Sequence, residues 1–440
     1  MSKILFENSN IEFIDGDRGK NYPKQEDFSD KGHCMFLSAK NVTSCGFNFD
    51  NKVFISSEKD NQLKAGKLKR NDIVITTRGT IGNVAIYDDK VPYNDVRINS
   101  GMLILRADSS KLDTKFLYYY LSSKEFKEQV NSLISGSAVP QLPIRDIKKL
   151  TLPNITKKQQ EKIANIISSF EDRIELNTQI NQTLEQIAQA LFKSWFVDFD
   201  PVRAKVQALS DGLSLEQAEL AAMQAISGKT PEELTALSQT QPDRYAELAE
   251  TAKAFPCEMV EVDGVEVPKG WEVKRIDEVI QKIPVGKKYS SKIAFSEGLV
   301  PILDQGRSGV IGYHNDKPGV KASIEDPIIV FANHTCYMRL ISYDFSAIQN
   351  VFAFKGKECN LYWLYLATLG KQEFVEYKGH FPDFLIKEII VPPEELTELF
   401  GKYVKESFSK IFINDRENSN LAKIRDLLLP KLLNGGIQNE

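Results

Sequence analysis

The feature that most constrains the fold of this chain is a long internal repeat. When the sequence is compared with itself, matching segments occur at a separation that falls steadily from the start of the chain to its end. GKNY at 19–22 matches GKKY at 286–289, MLILR at 102–106 matches VFAFK at 351–355, and DIKKLTLP at 146–153 matches LIKEIIVP at 385–392. Chance matches would scatter in separation, whereas a duplication followed by small deletions gives a steady drift. The sequence therefore predicts two related units in one chain.

The part of the repeat that matches best has the pattern of a long helix. Residues 174–196 overlay 411–433 without a gap. The first helix is predicted to begin near Thr156, which can act as an N-cap, and to run toward Phe196, a length of roughly 60 Å at about 1.5 Å per residue. Its apolar residues recur in alternating steps of four and three, which is the a/d spacing of a coiled coil. The second helix is predicted over about 394–433.

A single apolar seam on so long a helix needs a partner, and the duplicated helix is the nearest candidate. The predicted coiled-coil core consists of Ile163, Ile167, Phe170, Ile174, Asn177, Asn181, Leu184 and Leu191 in the first helix and Asn414, Asn418, Leu421 and Leu428 in the second. Asparagines in such a core lower stability but fix the register, because sliding would leave their amides unpaired. The alternative is that each helix packs only on its own globular part.

The globular part of each unit is predicted to mix short strands and helices. Runs such as DIVIT (72–76), NVAIY (83–87) and GMLILRA (101–107) alternate with Gly, Asn and Asp turns. KFLYYYLSS and the following KEFKEQVNSLI indicate a helix or a pair of helices. The regular βαβ alternation of a Rossmann sheet is absent.

We predict an α+β chain in which two related α/β domains are separated by two long helices. The predicted boundaries are 1–150 for the first domain, 151–199 for the first long helix, 200–266 for a connector, 267–390 for the second domain and 391–440 for the second long helix. The connector is rich in Ala, Glu and Leu and is interrupted by Pro231 and Pro242, which favours short helices.

The distribution of charge and the cysteine content limit the cellular location and the binding partners that the sequence permits. The formal net charge is −4, but residues 1–150 carry 23 basic against 19 acidic residues, whereas residues 201–270 carry 6 against 12. A basic first domain permits a nucleic-acid partner. The sequence has no apolar run long enough for a membrane helix and no apolar core for a secretory signal at its start. Five cysteines without a CxxC pair favour a reduced, cytoplasmic location.

Motifs for catalysis are missing from the sequence. GDRGK at 16–20 lacks the spacing and the Ser or Thr of a phosphate-binding loop. The four histidines have no zinc-ligand spacing, and there is no GxSxG elbow, no Asn-Pro-Pro-aromatic motif and no glycine-rich cofactor loop. We therefore expect no catalytic residue, metal or cofactor in this chain, which leaves a binding function.

The candidate DNA contacts lie in turns rich in Arg, Lys, Asn, Thr and Gly, because such side chains hold phosphates and read base edges. They are Arg18, Lys20, Tyr22, Arg78, Thr80, Asn83, Lys287, Lys288, Tyr289, Arg307, Ser308 and His380. The alternative is that these residues form ordinary solvated turns.

The chain resembles the specificity subunit of type I restriction–modification systems. The resemblance is carried by GSAVPQLPIRDIKKLTLPN (136–154), the helix that follows it, DIVITTRGTIGNVAIY, VPKGWEV and the closing LLLPKLLNGGI. It implies two target recognition domains, each docking on one half of a bipartite asymmetric site in double-stranded DNA. It also implies that the two long helices pair as an antiparallel coiled coil, which sets the distance between the two half-sites.

The resemblance further implies partner subunits that perform the chemistry. Two methylation subunits grip the chain largely through its long helices, and motor–nuclease subunits complete a site-specific endonuclease and adenine-N6 methyltransferase. S-adenosylmethionine, ATP and Mg are expected on those partners and not on this chain. No membrane is implied.

Two departures limit the transfer between the copies. The segment that leads from each globular part into its long helix, called the hinge below, reads GSAVPQLPIRD (136–146) in the first copy and GHFPDFLIKE (379–388) in the second. His380 and Phe381 therefore stand where the first hinge has other residues, and ANHTCYMR (332–339) lies near the place of RGTIGN (78–83). Two other functions stay open, a free-standing DNA-binding or anti-restriction protein and a coiled-coil scaffold without a nucleic-acid role. Salt-dependent DNA binding separates the scaffold from the others, and dependence on a methylation subunit separates the specificity subunit from the free-standing protein.

Overall fold

The computed structural model describes residues 2–44, 46–134, 141–262, 264–306, 309–376 and 378–433. The chain forms two compact units: unit 1 comprises Met1–Leu176 and Glu417–Glu440, and unit 2 comprises Asn177–Arg416. Each unit is built from one globular part and from segments of both long helices.

Unit 1 contains short strands and helices, and the predicted runs DIVIT, NVAIY and GMLILRA form three of its strands, β7, β8 and β10. Its strands are β1 (Lys3–Leu5), β2 (Ile11–Asp15), β3 (Cys34–Leu37), β4 (Val42–Thr43), β5 (Gly46–Phe47), β6 (Phe54–Ile55), β7 (Asp72–Thr76), β8 (Val84–Tyr87), β9 (Val96–Ile98), β10 (Met102–Ala107) and β11 (Thr151–Pro153). Its helices are α1 (Ser57–Gln62), α2 (Thr114–Ser122), α3 (Lys124–Leu133) and α4 (Ile144–Ile147), with 3-10 turns at Phe6–Asn8, Gln25–Asp27 and Ala39–Asn41.

The centre of unit 1 is the antiparallel sheet β2-β10-β7-β8, which is covered on both faces. Because side chains alternate along a strand, Ile73 and Ile75 of β7 pack on the helix side of the sheet. Val74, between them, packs against the smaller sheet β6-β3-β9. Burial on both faces explains why DIVIT reads as a continuous apolar run instead of an alternating one.

The two long helices are α5 (Lys157–Phe196) and α13 (Glu394–Leu433), each of 40 residues. The predicted N-cap of α5 is present: Thr156 and Gln159 exchange side-chain and backbone hydrogen bonds. In unit 1 the first part of α5 meets the last part of α13 through the ion pair of Arg173 with Glu417. In unit 2 the later part of α5 meets an earlier part of α13 through Asn181 and Asn414. The two helices therefore pair antiparallel.

The connector forms four short helices, as predicted, and then a hairpin. The helices are α6 (Asp200–Ser210), α7 (Leu215–Ser227), α8 (Pro231–Thr240) and α9 (Pro242–Ala254). Pro231 and Pro242 occupy the first turns of α8 and α9, where a missing N–H costs nothing. The hairpin β12 (Met259–Val262) and β13 (Val265–Pro268) was not predicted.

The globular part of unit 2 repeats the architecture of unit 1. Its strands are β14 (Glu272–Arg275), β15 (Ile280–Ile283), β16 (Lys288–Tyr289), β17 (Val300–Leu303), β18 (Val310–His314), β19 (Ile328–Ala332), β20 (Met338–Ile341), β21 (Ser346–Ile348), β22 (Val351–Gly356) and β23 (Glu388–Val391). Its helices are α10 (Ile276–Val279), α11 (Leu361–Thr368) and α12 (Phe381–Leu385), with a 3-10 turn at Ser291–Ile293.

Sheet topology identifies the equivalent strands in the two units. The sheet β15-β22-β19-β20 repeats β2-β10-β7-β8, and β14-β23 repeats β1-β11. The parallel pair of β17 and β21 repeats the parallel pair of β3 and β9. MLILR and VFAFK, matched in the sequence, therefore occupy the same place as β10 and β22, and the internal duplication is confirmed at the level of hydrogen-bonded strands.

Candidate nucleic-acid interface

A cleft of about 300 Å³ opens in unit 1 where the turn after β7 meets the segment that leads into α4. The side chains of Arg18, Arg78 and Arg145 line it, together with Thr77 and Gln141. All three arginines are exposed. Since guanidinium groups bind phosphate oxygens and guanine edges, this cleft has the chemistry of a DNA contact.

The turn that carries Arg78 is held rigidly by backbone hydrogen bonds. The N–H groups of Thr77 and Arg78 both donate to the carbonyl oxygen of Gly101, at 2.8 and 3.2 Å. The N–H of Leu142 donates to the Thr77 carbonyl at 3.1 Å, which ties the hinge to the turn. Gly79 has a φ of +73°, a conformation that favours glycine. The arginine is therefore presented from a preorganised backbone.

Arg18 is positioned by a carboxylate at the end of β2. Its Nη2 lies 3.1 Å from Asp15 Oδ2 and donates to the carbonyl oxygen of Ser100 at 3.3 Å. The adjoining loop is fixed by Asp17, which accepts hydrogen bonds from the backbone N–H groups of Gly19 and Lys64. These bonds, with the one from Gly19 the largest cause, lower the pKa of the Asp17 carboxyl below its usual value.

The other predicted contacts of unit 1 lie around the same loops, but their side chains differ in exposure. Lys20 and Thr80 are exposed. Tyr22 is half-buried, with its ring edge-on to Phe36 at 5.8 Å between centroids. Asn83 is half-buried and donates its amide to the carbonyl oxygen of Val42 at 3.1 Å, so that side chain braces the turn. Thus Arg18, Lys20, Arg78 and Thr80 remain the accessible set in unit 1.

In unit 2 the predicted lysines are exposed but the neighbouring tyrosine is not. Lys287 Nζ pairs with Asp316 Oδ2 at 3.0 Å, and Lys288 is exposed. Tyr289 is 6% exposed, stacks on the His314 ring at 4.1 Å between centroids, and donates its hydroxyl to Asp316 at 3.0 Å. Burial lowers the pKa of His314. Tyr289 therefore serves the core of unit 2 and leaves the candidate contact set.

His380 is also unavailable to DNA in this structure. It is fully buried, and its Nε2 lies 2.9 Å from the carbonyl oxygen of Glu376. Its backbone N–H donates to the Asn333 carbonyl, and the N–H of Phe381 donates to Asn333 Oδ1. The second hinge thus uses His380 to attach itself to a neighbouring turn. The predicted contacts Arg307 and Ser308 lie outside the described residues.

The turn that anchors His380 is the counterpart of the Arg78 turn. Hinge and turn are joined by Leu142 N–H to Thr77 oxygen in unit 1 and by His380 N–H to Asn333 oxygen in unit 2. ANHTCYMR therefore takes the place of RGTIGN. In this turn the backbone N–H of His334 donates to the side-chain oxygen of Gln305 at 2.8 Å.

Sequence reasoning missed four residues of these surfaces: Gln141, Arg145, Gln305 and Thr335. The signal for the first two was their position within the repeated hinge, beside the turn that the repeat also marks. Thr335 could have been found from the match of ANHTCYMR to RGTIGN, since the chain must cross the same edge of the sheet in both units, whereas no such match marks Gln305.

A group of side chains with metal-ligand chemistry lies elsewhere in unit 1. The ligand atoms of His33, Asp60 and Asp95 lie within 4.8 Å of one another. Lys67 Nζ is 2.6 Å from Asp60 and 2.8 Å from Asp95, and Arg97 also pairs with Asp60. Because these cations already neutralise both carboxylates, the group is an ion-pair network rather than a metal site.

The long helices place the predicted core residues inward. Ile163, Ile167, Asn177 and Asn414 are buried. The half-buried members are Phe170, Ile174, Asn181, Leu184, Leu191, Asn418, Leu421 and Leu428. Other apolar residues of the same helices are exposed: Leu176 by 47% and Ile187 by 55% on α5, and Ile413 by 48% and Ile424 by 43% on α13. The alignment that overlays the two helices pairs Leu176 with Ile413 and Ile187 with Ile424, so the exposure itself is duplicated.

Comparison with known proteins decides the family. The model described as type I restriction modification DNA specificity domain matches residues 10–186. The HindI specificity subunit of Haemophilus influenzae is 40% identical over 462 aligned residues, which cover 97% of this chain and 99% of that protein. The chain belongs to the type I restriction enzyme specificity subunits. A specificity subunit supplies recognition and not catalysis, so the predicted family and the predicted non-catalytic role are confirmed.

More distant relatives are also specificity subunits of type I systems. The MjaIX specificity subunit of Methanocaldococcus jannaschii is 25% identical, over 84% of this chain and 78% of its own length. The crystal structure of the type I restriction–modification S subunit from M. genitalium matches with a TM-score of 0.50 and 18% identity, over 98% of this chain and 95% of that one, which supports the fold. Among the residues that the structure describes, no helix is long and apolar enough to cross a membrane.

Proposed function

We propose that the two globular domains dock on the two halves of a bipartite, asymmetric site in double-stranded DNA. The observation that carries the proposal is the duplicated junction of turn and hinge, at Thr77 with Leu142 and at Asn333 with His380. The junction joins the equivalent turn and hinge in both units, with its donor shifted by one residue along the hinge, and it carries different side chains in the two units. A duplicated junction with diverged side chains suits a site whose two halves differ in sequence.

Two methylation subunits are proposed as the partners of the long helices. Leu176 and Ile187 lie about three helical turns apart on α5, so they share one face of that helix. Ile413 and Ile424 repeat this arrangement on α13. The exposed apolar residues recur at equivalent positions of the two helices, and two equivalent surfaces suit two copies of one partner.

The chemistry is proposed to reside on the partners. S-adenosylmethionine would be held by the methylation subunits, and ATP and Mg by the motor–nuclease subunits, with no cofactor on this chain. A cytoplasmic location is proposed, where both the DNA and these subunits are accessible.

The experiment is a map of methylated adenines in cells that express the cognate methylation subunit, with and without this chain. We expect a new two-part motif that appears only with the chain. A complex that forms without any new methylation would contradict DNA recognition, and absence of a complex would favour the scaffold alternative.

A paired variant tests the helix surfaces. L176E with I187E is expected to reduce the amount of methylation subunit that copurifies, because two charges replace apolar contacts. L213E serves as the matched control, since Leu213 is 44% exposed and belongs to the connector instead of a long helix. Equal copurification of both variants would contradict the assigned surface.

A further inference from the structure

We propose that Arg18, held by Asp15, reads a guanine in the half-site of unit 1, whereas Arg78 in the same cleft binds a phosphate. This inference rests on the proposed function and adds to it the base chemistry of one half-site and a division of roles between two arginines.

The two arginines differ in their electrostatic surroundings. Arg18 Nη2 lies 3.1 Å from the Asp15 carboxylate, so the pair carries little net charge. Arg78 is exposed in the same cleft and forms no ion pair with a carboxylate among the residues that the structure describes. Both arginines line the same cleft and both are exposed, so they differ in their carboxylate pairing and not in their burial.

A phosphate is a poor partner for Arg18. A phosphate oxygen at hydrogen-bond distance from this guanidinium would also approach the Asp15 carboxylate, and like charges repel strongly at such distances. The O6 and N7 atoms of guanine are uncharged acceptors and do not meet this repulsion. The carboxylate therefore favours a base edge over the backbone.

The contacts of Arg18 also leave donors for an outside acceptor. The Asp15 and Ser100 bonds both engage Nη2. A guanidinium has five N–H donors, so those on Nη1 and Nε remain. Asp15 limits the freedom of the side chain, which lowers the entropy that binding must overcome. Arg18 is thus held in one orientation and still has N–H donors for an outside acceptor.

The backbone beneath the cleft is fixed. Asp15 is the last residue of β2 and pairs with Leu103 of β10 in the central sheet. The next residue, Gly16, passes so close to Asn99 that an added Cβ would lie 2.2 Å from its carbonyl oxygen. A carboxylate fixed by the sheet can hold the arginine within the small tolerance that base readout needs.

The test uses the full chain assembled with its cognate methylation subunit. The wild-type complex and the variants R18A, R78A and D15N select from a duplex library randomised across both half-sites, and binding of the selected sequence is measured against salt. Unchanged assembly and an unchanged thermal midpoint verify that each variant is folded.

For R18A we expect the preference for one G·C pair to fall on the order of tenfold or more, in one half-site only, while the preferences at the other positions are retained. For R78A we expect weaker binding to all sequences and a salt slope smaller by about one. For D15N we expect a weaker guanine preference together with a steeper salt slope, because no carboxylate then neutralises the charge of Arg18.

Other results overturn the inference. If R18A weakens all sequences alike, as R78A does, and no position loses its base preference, Arg18 is a phosphate contact. If R18A leaves the selected motif unchanged, or alters a position that is not a G·C pair, Arg18 does not read guanine. If the wild-type complex selects no two-part motif at all, the proposed function fails, and that result is distinct from the preceding ones.

Discussion

The side-chain amide of Asn414 donates a hydrogen bond to the amide oxygen of Asn181 at 2.8 Å, which joins the two long helices inside unit 2. Asn181 in turn donates to Asp415 Oδ1 at 2.8 Å. The oxygen of Asn414 is buried and has no hydrogen-bond partner in the described structure. Asn181 also donates to the carbonyl oxygen of Ile411 at 3.4 Å. The two asparagines are therefore unequal: Asn181 satisfies three neighbours, whereas Asn414 leaves one of its own atoms unsatisfied.

This inequality predicts different effects of leucine at the two positions. N181L removes partners from both Asn414 and Asp415 and is expected to cost about 1–3 kcal/mol of unfolding free energy. N414L removes the donor to Asn181 but also an oxygen that was already unsatisfied, so its cost is expected to be smaller. The measurement is urea unfolding followed by tryptophan fluorescence, since all three tryptophans lie in unit 2. Equal losses in the two variants would contradict the assigned roles.

The buried ion pair of Asp60 with Arg97 predicts a large loss in unit 1 when it is broken. Both side chains are almost fully buried, and D60N leaves the Arg97 charge without its carboxylate. We expect a cost of about 3–5 kcal/mol. Because unit 1 contains no tryptophan, the readout is amide hydrogen exchange of β3 and β9, with E58Q at an exposed position of α1 as the control. Unchanged protection of these strands would show that the pair is not structural.

The carboxyl group of Asp60 also predicts that unit 1 loses stability at acid pH. Burial raises the pKa of Asp60, but hydrogen bonds and charge from Lys67 and Arg97 outweigh it and hold the pKa below the ordinary value of 3.8. The stabilisation is therefore complete above pH 3.8 and is lost as the pH falls through the lower folded-state pKa. D60N should lack this acid-dependent loss in hydrogen exchange. A parallel acid profile in parent and variant would assign the transition to other groups.

Lys205 predicts a different pH dependence in unit 2. It is buried, and its Nζ donates to the carbonyl oxygen of Phe255 at 2.6 Å. Burial lowers its pKa below 10.5, and the weaker effects of Cys257 and Glu219 oppose this. The unfolded chain then binds the proton more tightly, so the free energy of unfolding should rise with pH up to about 10.5.

K205M tests this prediction directly. The variant should lose the rise with pH. At pH 7 it should be at least as stable as the parent, because the removed desolvation cost outweighs the roughly 1 kcal/mol of the lost hydrogen bond. Fluorescence of Trp195, whose ring contacts Phe255, reports the transition. A pH rise that persists in K205M would place the titrating group elsewhere.

The sequence was sufficient for the long helices and the duplication because both depend on patterns that extend over many residues. The a/d spacing placed Ile163 and Asn414 in the core, and the drifting separation matched β10 to β22. Local turn chemistry also identified Arg18 and Arg78, which the structure brings to one cleft. These features depend on consecutive residues or on a regular repeat, both of which can be recognised in the sequence.

Burial produced by distant segments could not be predicted in the same way. Tyr289 is covered by His314, which belongs to a later strand, and His380 is enclosed by a turn that begins at Asn333. Both looked like exposed polar residues in turns. The exposure of Leu176 and Ile187 was equally hidden, since an apolar residue in a helical repeat is usually part of the core.

The duplication extends to single hydrogen bonds, which gives a last prediction. Gln160 of α5 accepts a hydrogen bond from the backbone N–H of Asp113, the N-cap of α2, at 2.9 Å. Thr397 of α13 occupies the position equivalent to Gln160 when the two long helices are overlaid. It accepts a hydrogen bond from the backbone N–H of Asn360, the N-cap of α11, at 3.0 Å. Both side chains are buried, so each long helix holds the first turn of a domain helix through one acceptor.

Q160A and T397A are each expected to cost about 1–3 kcal/mol, because each leaves a backbone N–H of a helix cap without its partner. The loss should appear as faster hydrogen exchange at the start of α2 for Q160A and at the start of α11 for T397A, with the other unit unaffected. K158A and E395A, at matching exposed positions of the two long helices, are the controls. If either variant leaves its own helix start as protected as in the parent, the duplicated bond does not anchor that helix.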